Sequence, residues 1–477
     1  MLPEIKSMNP YSEETIPPQK EDLHALSAER IELSKELFPF IAETLNKLHK
    51  TDLSERFWKL IAEEYVRSII NRYSLFRETS VTHSAPFLPL LGSVKPGLKE
   101  RVRGRAANFR NFIRSRKNRK QLFDELSTKD QFLVGFSDGS PIAEETGAVS
   151  LPDCASKPVF LGDRRKRSRL NGMAANEPDL LKQNILRQVP GFLVEHFSSI
   201  FDGITLVEPE KKTFHVHGRF RFSYRQIVLA KYAEFGSRMI WYQNGAMVGE
   251  CKYKYGGYLV RSVADEHRTW GWKIDDVDRP WKAYELQKFE KNYEQADKGG
   301  RDDLLVTFPK LWGAVNYYLG ITQKLLQSLD EKRYKSIRIR PYPSSNKESG
   351  ADAFQKISDP RVKVSAFKES MAEEIANSRI VLHIDVPATS FLESVSVGHP
   401  SVGLLNNANP TDIVKPFDQD FLGSSVLHKE IGSIADHLNN ANIDDWWLQV
   451  KNSDTMADYR KKFTGSNFSV NSGKATK

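Results

Sequence analysis

Between residues 33 and 76 the apolar positions recur at steps of three and four, as in Phe57, Leu60, Ile61, Tyr65, Ile69 and Ile70. That is the spacing of one helical face, and it predicts an amphipathic helical pair. Asp52 followed by Glu55 and Phe57-Trp58 reads as the start of the second helix, where side-chain oxygens satisfy free amides. From about residue 193 the period shortens. Phe214-His215-Val216 predicts a strand, 223–235 a helix and 238–242 a second strand, which together make a βαβ unit. The last third repeats that logic, with strands at 304–308, 336–340, 362–364, 380–384 and 402–405 alternating with helices that end near Leu329, Ala376 and Val397. Five strands so spaced predict a Rossmann-like domain.

The rest of the chain is divided by composition. Residues 1–22 are polar, carry Pro17-Pro18 and are expected as a flexible arm. A helical basic extension is expected over 23–127 and an extended connector, with Gly139, Pro141, Gly147, Pro152 and Pro158, over 128–190. An N-terminal α/β domain over 191–297 and a C-terminal Rossmann-like domain over 298–416 follow. The remainder, 417–477, carries Trp446-Trp447 and is expected as helices and a flexible tail.

At 477 residues the chain is long enough to bury full cores. Its two cysteines, Cys154 and Cys251, match neither a redox pair nor a zinc knuckle, and they point to a reducing compartment. Lys and Arg number 70 against 61 Asp and Glu, an excess of nine charges that suits anionic partners without naming one. The opening residues lack a signal peptide's apolar core, and no stretch holds 18 uninterrupted apolar residues, so a cytoplasmic protein, or one resting on the inner face of a membrane, is expected. There is no P-loop and no strand-linked G-x-G-x-x-G.

Two basic runs, 99–120 and Arg164-Arg165-Lys166-Arg167 with Arg169, either meet phosphates or form solvated helix faces. Arg338 and Arg340 point the same way from one strand and could neutralise a departing phosphate; a solvated edge strand is the other reading. In Val386-Pro387-Ala388-Thr389-Ser390-Phe391-Leu392-Glu393 a strand ends and small hydroxyl residues open a helix. Ser390 with Glu393 fits a capping box, while the same helix start suits an anion, with Glu393 accepting from ribose hydroxyls. The turn Gln243-Asn244-Gly245-Ala246 follows a strand's carboxyl end, where open parallel sheets place ligands. Asp276 and Asp278 make a D-x-D, read as a loop beside Arg279-Pro280.

Gln243 and Gly245, Ala264-Asp265 with Thr269-Trp270-Gly271-Trp272, Arg338 and Arg340, and Thr389-Ser390 with Glu393 and Pro400 occur in an order that resembles the bacterial surface-carbohydrate (O-antigen) transferases, a family of GT-B-type glycosyltransferases. The resemblance covers roughly residues 45–405. It implies an α/β, GT-B-like protein of two facing Rossmann-like domains that moves a sugar from a nucleotide-sugar donor to a glycan or lipid-linked acceptor in surface polysaccharide biosynthesis. Arg338, Arg340, Thr389, Ser390, Glu393, Gln243, Asn244 and Gly245 are then the expected donor-binding residues. Asp265 leads as catalytic base, ahead of Glu250 and His217, with Glu266 and His267 behind them. No metal or cofactor beyond the nucleotide sugar is expected; an anionic membrane is an expected peripheral contact, and nucleic acid is not an expected partner. One departure stands out: the family turn commonly reads Q-H-G-G, and Asn244 occupies the histidine's place. A degenerate scaffold, or a nucleic-acid binder using the basic helices, are the alternative readings.

Overall fold

The computed structural model describes residues 20–78, 120–136, 140–151, 163–218, 224–252, 255–296, 302–309, 315–342, 351–405 and 410–465. The basic run at 99–120 lies, all but its last residue, outside the described residues. The chain forms two compact units: the first is built from residues 26–244 and 255–268, the second from 245–254 and 269–477. The expected boundary near 297 therefore falls instead at 244 and 268. After Asn244 the chain gives a short piece, 245–254, to the second unit and then returns to the first over 255–268. Trp270 and Trp272 sit in the second unit's core beside Phe391 and Phe421, which is what draws the crossing point so early.

In the first unit, helices α1 (Lys20–His49) and α2 (Glu55–Glu78) are the predicted amphipathic pair. The second helix is capped by Ser54, whose Oγ accepts from the Phe57 amide at 3.1 Å, rather than by Asp52. Helices α2 and α3 (Tyr224–Glu234) bury Phe57, Trp58, Ile61, Ile227 and Leu229 in one core with a face of the sheet. The strands of the first sheet are β1 (Gln131–Val134), β2 (Val149–Ser150), β3 (Thr213–His217), β4 (Arg238–Tyr242), β5 (Glu266–Thr269) and β6 (Asp278–Pro280), in the order β2-β1-β3-β4-β5-β6. The pairings from β2 to β5 are parallel. Strand β6 is reached through Thr269, whose carbonyl accepts from the Trp281 amide at 2.8 Å. The stretch 128–190, expected as a connector, supplies β1, β2 and the helices Arg164–Ala175 and Leu180–Gln188. Its Gly and Pro residues mark turns between short elements, and Gly147 is the left-handed C-cap of one of them.

The second unit carries β7 (Leu304–Thr307), β8 (Ile337–Arg340), β9 (Val362–Val364), β10 (Val381–Val386), β11 (Ser401–Leu405) and β12 (Leu427–His428). They form one parallel sheet in the order β12-β11-β10-β7-β8-β9. Leu304, Val306, Ile337, Ile339, Leu382 and Ile384 face one layer of helices. Leu305 and Val381 face the other, packed on Phe289, Ala372 and Ile375. Helices α4 (Met247–Glu250), α5 (Tyr284–Gln295), α6 (Val315–Ser328), α7 (Met371–Ala376), α8 (Thr389–Ser396), α9 (Lys415–Gly423), α10 (Ile431–Asn440) and α11 (Asp454–Phe463) belong to this unit. Two α/β units, each built on a parallel sheet, bear out the expected fold class. Among the described residues no helix is long and apolar enough to cross a membrane.

Candidate functional site

In the second sheet the strand order reverses between β7 and β10. From β7 the chain steps outward through β8 and β9, and from β10 it steps the other way through β11 and β12. The helices on either side of that point leave in opposite directions, so their starts splay apart and open a crevice at the strands' carboxyl ends. Thr307 ends β7, Arg340 ends β8, and Asp385 lies one residue from the end of β10. Asp385 is a bulge residue with φ of 64°, a conformation costly for a side chain with a Cβ, and the Tyr318 hydroxyl donates to its Oδ2. Tyr317, its neighbour on α6, is 39% exposed.

Helix α8 starts at this edge. Its N-cap is Ala388, without a side-chain cap, so the S-x-x-E capping box is not formed. Ser390 instead places its Oγ 3.1 Å from His383 Nδ1, which also lies 3.0 Å from Thr307 Oγ1. His383 is fully buried, and burial holds its imidazole down at about 3. The Phe391 amide bonds the Ala388 carbonyl at 3.1 Å, which leaves the amides of Thr389 and Ser390 at the start of α8 for another acceptor. Thr389 is engaged on its other side: its Oγ1 accepts from the Ala246 amide at 3.3 Å. Gly245, with φ of 91°, makes this approach possible, because a Cβ there would stand 3.3 Å from the same oxygen. Ala246, which follows the Gln-x-Gly motif, and Thr389 of the Thr-Ser-x-x-Glu helix start, 143 residues apart, therefore meet within one unit.

Glu393, one turn into α8, is half-buried, and burial pushes its carboxyl up to about 7 against the opposing charge of Arg340. Arg340 is buried and gives Nη1 to Glu374 at 2.7 Å, leaving its buried Nε without a partner. Arg338 differs. It lies nearer the amino end of β8 and pairs with Asp302, before β7, at 2.5 Å. The anion this arginine requires is a carboxylate of the protein, so its expected role at a departing phosphate is corrected to a structural one.

The expected bases separate by sheet edge. Asp265 immediately precedes β5, at the amino edge; it accepts from Arg56 Nη2 and from the Met239 amide, each at 2.7 Å. Glu266 stands at the same edge between Arg238 and Arg268. Neither lies at the carboxyl end of a strand, where a base for the acceptor is needed: each closes the start of the sheet. His267 is buried within β5. Glu250 is 2% exposed, too enclosed to meet an acceptor. His217 alone of the five ends a strand of the first sheet, β3, and its ring stacks on Phe136 at 5.1 Å. Gly135 brings β1 against it: a Cβ there would lie 2.2 Å from the His217 carbonyl oxygen. Asn244 Nδ2 sits 3.5 Å from where a Cβ on Gly218 would be, beside that histidine.

Asp278 is buried at the start of β6 and accepts from the amides of Ile274 and Asp275, so the D-x-D is a structural turn. Among the described residues no group of three His, Cys, Asp or Glu side chains has a metal-holding arrangement. Of the second basic run, Lys166 bonds Ser198 and Arg167 pairs with Glu195 at 2.8 Å; Arg164, Arg165 and Arg169 are exposed.

A family model described as LIC12162 family transferase matches residues 92–471. The chain belongs to this transferase family. The match bears out the resemblance read from the motifs. No curated protein matches the chain. Among solved structures it is similar to the wall teichoic acid polymerase TagF, at 9% identity and a TM-score of 0.34 over 78% of this chain and 96% of that one. It is similar also to the glycosyltransferase SnogD from Streptomyces nogalater, at 13% and 0.35 over 73% and 93%. The S. aureus MnaA–UDP structure gives 13% and 0.36 over 56% and 75%.

Asp385, Tyr318, Thr307 and His383 were not expected at the site. The strand order could not be read from spacing, and only that order brings β7 and β10 side by side. Asp385 before Val386-Pro387 was the one available signal, an acidic residue next to the end of a strand otherwise apolar but for His383.

Proposed function

We propose that this transferase moves a glycosyl group from a nucleotide-sugar donor to a hydroxyl of a glycan or lipid-linked acceptor in surface polysaccharide assembly. The observation that carries the reading is the meeting of the 245–246 turn with Thr389 at the start of α8, beside the switch point and Glu393. A diphosphate there accepts from the free amides of α8, whose partial positive charge is worth about 0.3–1 kcal/mol and up to about 2 when partly buried. Arg340 adds positive charge, reduced by its pairing with Glu374. Glu393 and Asp385 are the acceptors for donor hydroxyls.

In the reaction the acceptor oxygen bonds to the anomeric carbon as the bond to the phosphate oxygen breaks, and the nucleoside diphosphate leaves with the electron pair. His217, which ends β3, takes the acceptor proton. Work at the inner face of a membrane, where a lipid-linked acceptor is found, belongs to the same proposal. Thermal unfolding with UDP, CDP, GDP and dTDP tests it: a nucleotide at one hundred times its Kd adds about 2.7 kcal/mol. No stabilisation by any of the four would overturn the donor reading.

A further inference from the structure

The basic run that begins at Arg164 lies on the helix Arg164–Ala175, which packs on the helix Leu180–Gln188 as a hairpin of the first unit. At about 100° per residue, Arg164, Arg165 and Arg169 share one continuous exposed face with Ser168, Asn171, Gly172 and Ala175. The opposite side is apolar, and Leu170 and Ala174 enter the core from it.

The two cations of the run that turn inward are bonded. Lys166 Nζ lies 3.0 Å from His49 Nδ1 and also donates to Ser198, while Arg167 pairs with Glu195 at 2.8 Å and donates to the Val189 carbonyl at 2.8 Å. That last bond sets the end of the second helix, with the exposed Arg187, beside the start of the first. The cations that turn outward are not bonded. Among the described side chains, Arg164, Arg165, Arg169 and Arg187 are the arginines with no hydrogen bond or ion pair; every other arginine has a partner. The hairpin's carboxylates are turned to backbone amides: Asp163 accepts from Arg165 at 3.0 Å, Glu177 from Asp179 at 3.2 Å, and Asp179 from Leu181 at 2.8 Å.

This arrangement does not serve the fold. Arg164 and Arg165 stand in the first turn, against the helix dipole, and Arg165 and Arg169, one turn apart, repel each other. Both penalties vanish when an anion covers the face.

We infer that the outward face of this hairpin docks the protein on an anionic lipid bilayer. The assignment rests on the reading of this transferase as one that meets a lipid-linked acceptor. A bilayer suits the face better than a single-stranded nucleic acid does, because such strands are held by stacking on aromatic rings and residues 164–188 contain none. Leu180, at the turn of the hairpin, is 71% exposed and offers an apolar side chain to the headgroup region.

Co-sedimentation of the full chain with vesicles of three parts phosphatidylcholine to one of phosphatidylglycerol tests this. The wild type should bind them, should be released as salt is raised, and should ignore phosphatidylcholine alone. An arginine near an anionic surface is worth about fivefold in affinity, so Arg164→Gln, Arg165→Gln, Arg169→Gln and Arg187→Gln together should weaken binding by at least about a hundredfold. A control that removes the same charge from exposed lysines of the second unit, Lys288→Gln, Lys324→Gln, Lys332→Gln and Lys429→Gln together, should weaken it by less than about threefold. A wild type that ignores the anionic vesicles, a hairpin variant that binds them like the wild type, or a lysine variant that loses as much as the hairpin variant would each overturn the inference. So would single-stranded RNA or duplex DNA that binds the wild type more tightly than the vesicles do and is lost from the hairpin variant, since the face would then belong to nucleic acid. Thermal unfolding with the four nucleotides keeps the donor reading separate: the hairpin variant should be stabilised as the wild type is. Failure of both proteins to respond to any of the four refutes the donor reading alone, and the vesicles still decide the surface.

Discussion

The two sheets solve different problems with the same parallel topology. In the second, strands such as Leu304–Thr307 and Ser401–Leu405 are apolar on both faces and lie between two helical layers. In the first, apolar and polar residues alternate. Phe214, Val216, Met239 and Trp241 enter the core, and the opposite face carries a ladder of polar side chains. Gln131 Oε1 lies 2.8 Å from His215 Nε2, and His215 Nδ1 lies 2.9 Å from the Tyr242 hydroxyl. Arg268 Nη1 donates to that hydroxyl at 2.7 Å and its Nε to Glu266 at 2.7 Å. Because Arg268 occupies Tyr242's oxygen, the phenol proton points to His215 Nδ1, which fixes Nε2–H toward Gln131. Burial, with Arg268 adding to it, holds His215 down at about 4, consistent with that neutral tautomer. An apolar sheet leaves its chemistry to the strand ends; an alternating one spends polar groups on holding its own strands in register.

The contrast can be broken first in the second unit. Removing Glu374 by Glu374→Ala leaves Arg340 charged and buried, which should cost about 3–5 kcal/mol in urea unfolding. A smaller loss is expected in the first sheet from Tyr242→Phe, which removes the partner of His215 Nδ1 and one of the bonds of Arg268 for about 1–3 kcal/mol. If that mutant unfolds like the wild type, the ladder does not organise the sheet. Smaller still is Asp265→Asn, which weakens a partly exposed pair with Arg56 worth less than about 1 kcal/mol and keeps an acceptor for the Met239 amide. Turnover on a soluble acceptor should survive. Its abolition would restore Asp265 as base and remove His217.

Period alone made most of the second unit legible: the strands expected at 336–340, 362–364 and 402–405 each fall within a residue of β8, β9 and β11. The first unit was legible only where strands were long. Strand β1 has four residues and β2 two, in a stretch marked by Gly and Pro, so the turn signals outweighed the strand signals. Strand β5 reads Glu-His-Arg-Thr, with no apolar residue to announce it, and that concealed the fact that Asp265 and Glu266 begin a strand rather than end one. At the site, motif residues such as Thr389 and Glu393 could be found from local pattern. The partners that neutralise Arg338 and enclose Glu250 come from distant parts of the chain and leave no local trace.

The central claim is that α8 and its Thr389–Glu393 turn form the donor site. It is tested most directly by nucleotide titration of Glu393→Gln against the wild type from pH 5.5 to 8.5, using whichever of UDP, CDP, GDP or dTDP binds. A carboxylate accepts from a ribose hydroxyl better than a carboxylic acid, and burial sets this group near 7. Wild-type affinity should therefore rise with pH through 7, by up to about tenfold per unit, and level off once the group is charged. The mutant should bind more weakly at pH 8 and lose that rise. Equal affinities for mutant and wild type across the whole range would contradict the account.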